Sequence, residues 1–114
     1  MITVYGIKNC DTMKKTFAWL DDNQVAYRFH DYKKEGADRA VLALAIAEHG
    51  WENVINRKGT TWRGLDEKTR EQMDAASAVT SALDNPSLVR RPLIVRDGKT
   101  WLGFDAALFA KTFR

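Results

Sequence analysis

Within the first 31 residues the apolar pattern changes period twice, which constrains the fold more than any other feature of the chain. Ile2-Thr3-Val4-Tyr5 is a short apolar run of strand type. Met13, Phe17 and Leu20 then recur at i, i+4 and i+7, one face of a helix over about residues 11–23 that Asp22-Asn23 closes. Residues 25–31 alternate strictly, with Val25, Tyr27 and Phe29 on one side and Ala26, Arg28 and His30 on the other, the period of a half-buried strand. A helix of this length between two strands predicts a parallel pair joined by a right-handed crossover.

From Gly36 to Asn85 the pattern turns helical and carries no strand signal. Ala40–His49 is an alanine- and leucine-rich helix with Gly50 as its C-cap, and Trp51, Val54 and Ile55 make a short helical turn against it. Asp66-Glu67 opens another helix, acids first as the helix dipole prefers, and Ser77 is a candidate cap for a further one ending at Asn85-Pro86. Strand character returns at Leu93-Ile94-Val95. Asp97-Gly98 is a hairpin turn, Thr100-Trp101-Leu102 the partner strand, and residues 105–113 a last helix. The order βαβ, helical insert over about 36–85, then ββα predicts an α/β fold with a four-stranded mixed sheet. Without the insert, the skeleton is a thioredoxin-like layout. At 114 residues the chain suits one domain spanning 1–114.

Bulk properties exclude several classes of function. No apolar run approaches the roughly 20 residues that span a bilayer, and no basic stretch followed by an apolar one opens the chain. Neither a membrane partner nor a signal peptide is expected. The net charge of +3 is spread among acids rather than blocked into a run, which fits an anionic small molecule better than a nucleic acid. A single cysteine forms no disulfide within its own chain, in keeping with a reducing, cytoplasmic setting; a monomer is expected. His30 and His49 lack a cysteine or acid cluster at metal-ligand spacing, so no metal site is expected.

That cysteine, Cys10, falls where the first strand gives way to the first helix. A sulfur there faces unpaired N–H groups and the positive end of the helix dipole, both of which favour the reactive thiolate. Lys8, Lys14 and Lys15 add positive charge and Asp11 opposes it. Placement alone leaves open both a reactive thiol and an inert, buried cysteine acting as a small hydrophobe. The thioredoxin-like layout sharpens the choice, since such folds hold their nucleophilic sulfur at this point. Met13 stands where a C-x-x-C pair would have its second cysteine; a thioether resolves no mixed disulfide, and it reads as a core residue under the helix. In the same layout Pro92 corresponds to a cis-proline facing the cysteine, and Arg91 becomes a residue that stabilises the thiolate or holds an oxyanion. Without the layout, Arg90 and Arg91 are plain surface charges. Asn56-Arg57-Lys58-Gly59-Thr60-Thr61-Trp62 is a loop with cations and hydroxyls suited to a carboxylate or oxyanion, though surface loops often have this composition.

Over essentially its whole length the chain resembles the ArsC/Spx family of thioredoxin-like proteins. The segments that carry the resemblance are Tyr5-Gly6-Ile7-Lys8-Asn9-Cys10, Asn56-Arg57-Lys58-Gly59, residues 85–95 from Asn85-Pro86 through Arg91-Pro92, and Leu102-Gly103-Phe104. Cys10-Asp11-Thr12 with Lys14-Lys15, and Gly59-Thr60-Thr61-Trp62-Arg63, look most like the YffB-like branch. The resemblance implies a glutathione-dependent thiol reductase with no bound cofactor, glutathione as co-substrate, and a disulfide or oxidised thiol as substrate. Cys10 and Arg91 would be catalytic. Lys8, Arg57, Arg90 and Pro92 would meet the substrate, Lys8 favouring the thiolate, the two arginines pairing with carboxylates, and Pro92 shaping the groove. Arsenate reductases of the family hold their oxyanion with three arginines; Cys10, Arg57 and Arg91 match, but Gly103 stands in the third arginine position. Spx regulators commonly carry a C-x-x-C switch, which Met13 breaks. The family thus offers two other readings, a regulatory binding module and a weak arsenate reductase.

Overall fold

A computed structural model describes residues 1–114. In chain order the elements are β1 (Ile2–Gly6), α1 (Asp11–Asp22), β2 (Tyr27–Asp31), α2 (Tyr32–Glu35), α3 (Arg39–His49), α4 (Trp51–Val54), α5 (Thr60–Arg63), α6 (Glu67–Glu71), α7 (Ala75–Asp84), a 3-10 turn at Pro86–Leu88, β3 (Leu93–Arg96), β4 (Lys99–Leu102) and α8 (Ala106–Thr112). They fall into two compact units. A sheet unit is made of Met1–Glu35 and Arg91–Arg114, and a helical unit of Gly36–Arg90.

In the sheet unit the strand order is β2-β1-β3-β4. β1 and β2 run parallel, while β3 is antiparallel to both β1 and β4, the expected mixed sheet. Ile2, Val4 and Ile94 pack with Met13, Leu20, Phe109 and Phe113 into one core cluster. Trp19 and Phe104 meet the Phe109 ring edge-on, and Phe109 meets Phe113 the same way, geometries that suit aromatic quadrupoles. Arg96 closes one end of this layer. Its guanidinium lies over Trp101 and Phe113 at 5.6 and 5.2 Å and donates to the Thr112 carbonyl at 3.0 Å, a cation meeting the C-terminus of α8. The Asp97-Gly98 turn carries φ of +50° and +77°, the left-handed pair that a two-residue hairpin requires.

The expected strand over 25–31 starts two residues late, at Tyr27, and the reason is local. Gln24 adopts φ +57°, and the N–H groups of Gln24 and Val25 donate back to Asp21 and Leu20. Those bonds finish α1 in a Schellman-type cap, leaving Val25 unavailable to the sheet ladder. α2 follows β2 directly: Asp31, itself buried, accepts the Lys33 N–H at 3.0 Å. Four residues, Tyr-Lys-Lys-Glu, show no apolar period, so this turn leaves no trace in the pattern.

In the helical unit Gly50, at φ +84°, ends α3 as expected. Asp74, rather than Ser77, caps α7. Its carboxylate accepts the Ser77 N–H while the Ser77 hydroxyl accepts the Asp74 N–H, so Ser77 is the inner partner of a capping box. The segment read as a loop from Asn56 to Trp62 turns helical at Thr60. The block is also not purely helical. Ile55 and Val89 form an antiparallel bridge, Asn56 donates to the Leu88 carbonyl at 2.7 Å, and Arg90 donates to that of Val54 at 2.8 Å. These bonds extend the unit to Arg90, past the expected limit at 85.

Gly6, the last residue of β1, lets α1 lie close upon the sheet. A Cβ there would stand 2.5 Å from Met13 Cε and 2.6 Å from its Sδ, so the end of this fully buried side chain would have to shift within the core. Gly6→Ala is expected to destabilise the fold by about 1–3 kcal/mol through overpacking, measured as a lowered urea midpoint with unchanged slope.

Candidate active site

Cys10 is the N-cap residue of α1, with extended backbone at φ −146° and ψ 129°. Its carbonyl accepts the Lys14 N–H at 2.9 Å, the first helical bond, and its own N–H donates to the Lys8 carbonyl at 3.1 Å. The backbone on both sides of the sulfur is therefore fixed. The side chain is half-buried and makes no capping hydrogen bond of regular geometry.

Competing influences set the state of the thiol. Burial is the largest, and alone it would raise the pKa. Acting together, the Met13 N–H, a hydrogen bond from the Arg91 side chain, the Thr12 N–H and the Arg91 charge overcome it, so the thiol lies below its ordinary value. The cation that bears on the sulfur is thus Arg91. Lys8, Lys14 and Lys15 are exposed and are not among the groups that move it, nor is Asp11. An exposed ammonium is screened by water, whereas Arg91 is half-buried with its Nε enclosed.

Arg91 enters the site from the start of β3. The Arg91–Pro92 peptide is cis, as the layout predicted, and the Pro92 carbonyl accepts the Gly103 N–H at 2.9 Å. Gly103 has φ +80°, a conformation that strains any other side chain, so an arginine is not readily accommodated at this position.

The sheet unit thus brings together Cys10, Arg91 and Pro92, with Lys8 touching Cys10 through its backbone alone. Arg57 and Arg90 belong to the helical unit, where with Lys58, Glu52, Asn53, Ile55 and Asn56 they line a cleft of about 470 Å³. The Asn56 side chain accepts the Lys58 N–H at 3.2 Å and its carbonyl accepts the Gly59 N–H at 3.3 Å, which shapes the loop carrying Arg57. The Arg57 guanidinium lies 5.7 Å over the Trp51 ring, which in turn stacks on Trp62. Lys58, the second cation of the loop that the sequence offers for a carboxylate or oxyanion, lines the cleft with Arg57, whereas Trp51 was read only as a packing residue. Sequence reasoning also left out Tyr32, whose phenol feels the Arg91 charge; a tyrosine at the exit of β2 was the available signal. No group of three or more His, Cys, Asp or Glu side chains is placed to hold a metal ion, and no helix is long and apolar enough to cross a membrane.

The ArsC family model matches residues 5–112. The chain belongs to the ArsC family. A solved structure described as the YFFB (PA3664) protein covers all of both chains at 46% identity and a TM-score of 0.96. An arsenate reductase (ArsC) related protein from Brucella melitensis is 50% identical, covering 97% of this chain and 92% of its own, at a TM-score of 0.76. The global transcriptional regulator Spx of Streptococcus mutans is 25% identical over 92% of this chain and 77% of its own. Kinship with arsenate reductase-related proteins supports a thiol-based reductase kind of activity.

Iodoacetamide alkylation of Cys10 against pH should give a midpoint below the ordinary ~8.5. Arg91→Ala should move it upward and slow alkylation at neutral pH several-fold while the fold persists; a variant that reacts like the parent removes the role of Arg91. The same shift couples to stability. With the folded pKa lowered, the thiolate contributes fully above the unfolded value of ~8.5, and the contribution is lost as pH falls through the folded value. Unfolding free energy from urea titrations should therefore rise across that window in the parent relative to Cys10→Ser.

Proposed function

We propose that this ArsC-family chain is a glutathione-dependent thiol–disulfide oxidoreductase with Cys10 as nucleophile. The observation that carries the reading is a lone cysteine at a helix N-terminus, hydrogen-bonded to Arg91, with its thiolate favoured. The Cys10 thiolate attacks one sulfur of a substrate disulfide, forming a mixed disulfide and expelling the first substrate thiolate. A glutathione thiolate then attacks the Cys10 sulfur, expelling the second. A further glutathione attacks the glutathione sulfur bound to Cys10, leaving the Cys10 thiolate and oxidised glutathione. Two electrons pass from two glutathiones to the substrate, and the protons those thiols give up go to the two released thiolates.

Arg91 keeps Cys10 ionised as attacking group and as leaving group. Arg57 and Arg90 offer guanidinium groups to carboxylates of the tripeptide. Pro92 shapes the groove for an extended backbone, and Lys8 adds an outer charge that draws anionic substrates. Arsenate suits this chain poorly. The left-handed backbone at Gly103 disfavours a third arginine, and losing one guanidinium from an oxyanion site removes on the order of 1.5–3 kcal/mol of charge-assisted binding.

Calorimetry should register glutathione binding, lost in Arg57→Ala/Arg90→Ala, and little heat from arsenate. Oxidation of glutathione with bis(2-hydroxyethyl) disulfide should require Cys10 and vanish in Cys10→Ser. Turnover of arsenate faster than of the disulfide would overturn the reading, and absence of both activities would leave the Spx-like binding role. Gly103→Arg should cost about 1–2 kcal/mol of stability rather than create an arsenate reductase.

A further inference from the structure

The cleft of the helical unit holds charges of both signs that are not spent on one another. Arg57, Lys58 and Arg90 bring three cations to its wall, and Glu52 brings one carboxylate. The ion pairs of the chain, Arg28 and His30 with Glu35, lie in the sheet unit. The backbone that carries the cleft charges is held in place. The Ile55–Val89 bridge draws Arg90 alongside Val54, whose carbonyl accepts the Arg90 N–H at 2.8 Å, and so beside the turn that carries Glu52. Lys58 is held from two sides: its N–H donates to Asn56 Oδ1 at 3.2 Å, and its carbonyl accepts from Arg63 Nη1 at 3.1 Å. Arg70 donates in turn to the Arg63 carbonyl at 2.9 Å. The Arg57 guanidinium rests over the Trp51 ring, so part of its ordering is complete before any ligand arrives. The amide side chains of the cleft are committed elsewhere. Asn56 Oδ1 takes the Lys58 N–H, and Asn53 Nδ2 donates to the His49 carbonyl at 2.7 Å. The negative charge of the cleft is Glu52.

We propose that this cleft is a subsite for an α-amino-acid end, in which Glu52 receives the ammonium of the γ-glutamyl residue of glutathione while the cations hold its carboxylates. The charges match in kind. At neutral pH the tripeptide carries an ammonium and a carboxylate on one carbon and a second carboxylate at its glycine end. Such a ligand needs an acid and a base side by side, which Glu52 and its cationic neighbours supply. A cleft shaped for an oxyanion or a plain dicarboxylate has no use for Glu52, because the acid repels both. Glu52 is exposed, so its pairing with an ammonium is partly screened by water and adds only modest affinity. Its effect is on selectivity: it turns away ligands that are anionic throughout and admits one that carries a positive charge beside the negative one.

The inference rests on the reading of glutathione as co-substrate, and the test separates the two. Calorimetry on the full-length, reduced parent and on Glu52→Gln compares glutathione with glutaryl-cysteinylglycine, the same tripeptide with a hydrogen in place of the ammonium. The parent should bind glutathione about five- to tenfold more tightly than the analogue, the scale of one partly exposed, charge-assisted contact. Glu52→Gln should weaken glutathione and strengthen the analogue until the two bind within about twofold of each other. A parent that binds glutathione with no preference over the analogue, or with the reverse preference, overturns the role of Glu52 and spares the co-substrate. A preference that Glu52→Gln leaves intact does the same, because the ammonium would then be read elsewhere. A parent that binds neither tripeptide removes both.

Discussion

The packing of Met13 against Gly6 sets the distance between the first helix and the first strand, and with it the location of the sulfur. Met13 is the third residue of α1 and Gly6 is the last residue of β1, so the contact holds the first turn of the helix against the strand. Cys10 lies in the short connection between these two fixed points, its backbone bonded on both sides. The same helix buries Leu20 in the cluster that receives Phe109 and Phe113, so one close approach orients the layer beneath the sheet and aims the helix N-terminus. Interiors packed at crystal-like density transmit such a constraint without slack.

Hydrophobic period made most of the sheet unit readable before any coordinates. The runs at Ile2–Tyr5 and Leu93–Val95, the helical stripe of Met13, Phe17 and Leu20, and the Asp97-Gly98 turn each specify a conformation through local chemistry. What escaped was set by groups distant in sequence or by backbone already committed elsewhere. The Ile55–Val89 bridge joins residues with no alternating pattern around them, so nothing local announces it. The late start of β2 has a local cause but depends on which way the chain turns after Asn23. At Asp74 and Ser77 both side chains are good caps, and only the backbone decides which stands outside the helix.

The site shows the same division. Cys10, Arg91 and Pro92 were identifiable once the element order implied the layout, because the topology dictates which loop ends meet. The relative weight of the nearby charges was not. Counting charges near Cys10 in sequence favours Lys8, Lys14 and Lys15, but exposure to water removes most of their influence, and the decisive guanidinium comes from a residue 81 positions away. Sequence proximity reports chain distance, while a charge acts through the dielectric between it and its target. The part played by Trp51 escaped for a related reason: it matters through the arginine whose guanidinium lies over its ring.

The lone sulfur has a consequence for how such a protein answers its surroundings. A dithiol protein that closes an internal disulfide at the expense of oxidised glutathione releases two reduced molecules, so its oxidised fraction depends on the square of the reduced concentration and shifts whenever the pool is diluted. With Met13 in place of a second thiol, Cys10 exchanges one glutathione for another, and a single reduced molecule appears on the other side of the balance. Its equilibrium then follows only the ratio of oxidised to reduced glutathione. Under the proposed chemistry, replacing one side chain by a thioether converts a gauge of pool size into a gauge of pool composition.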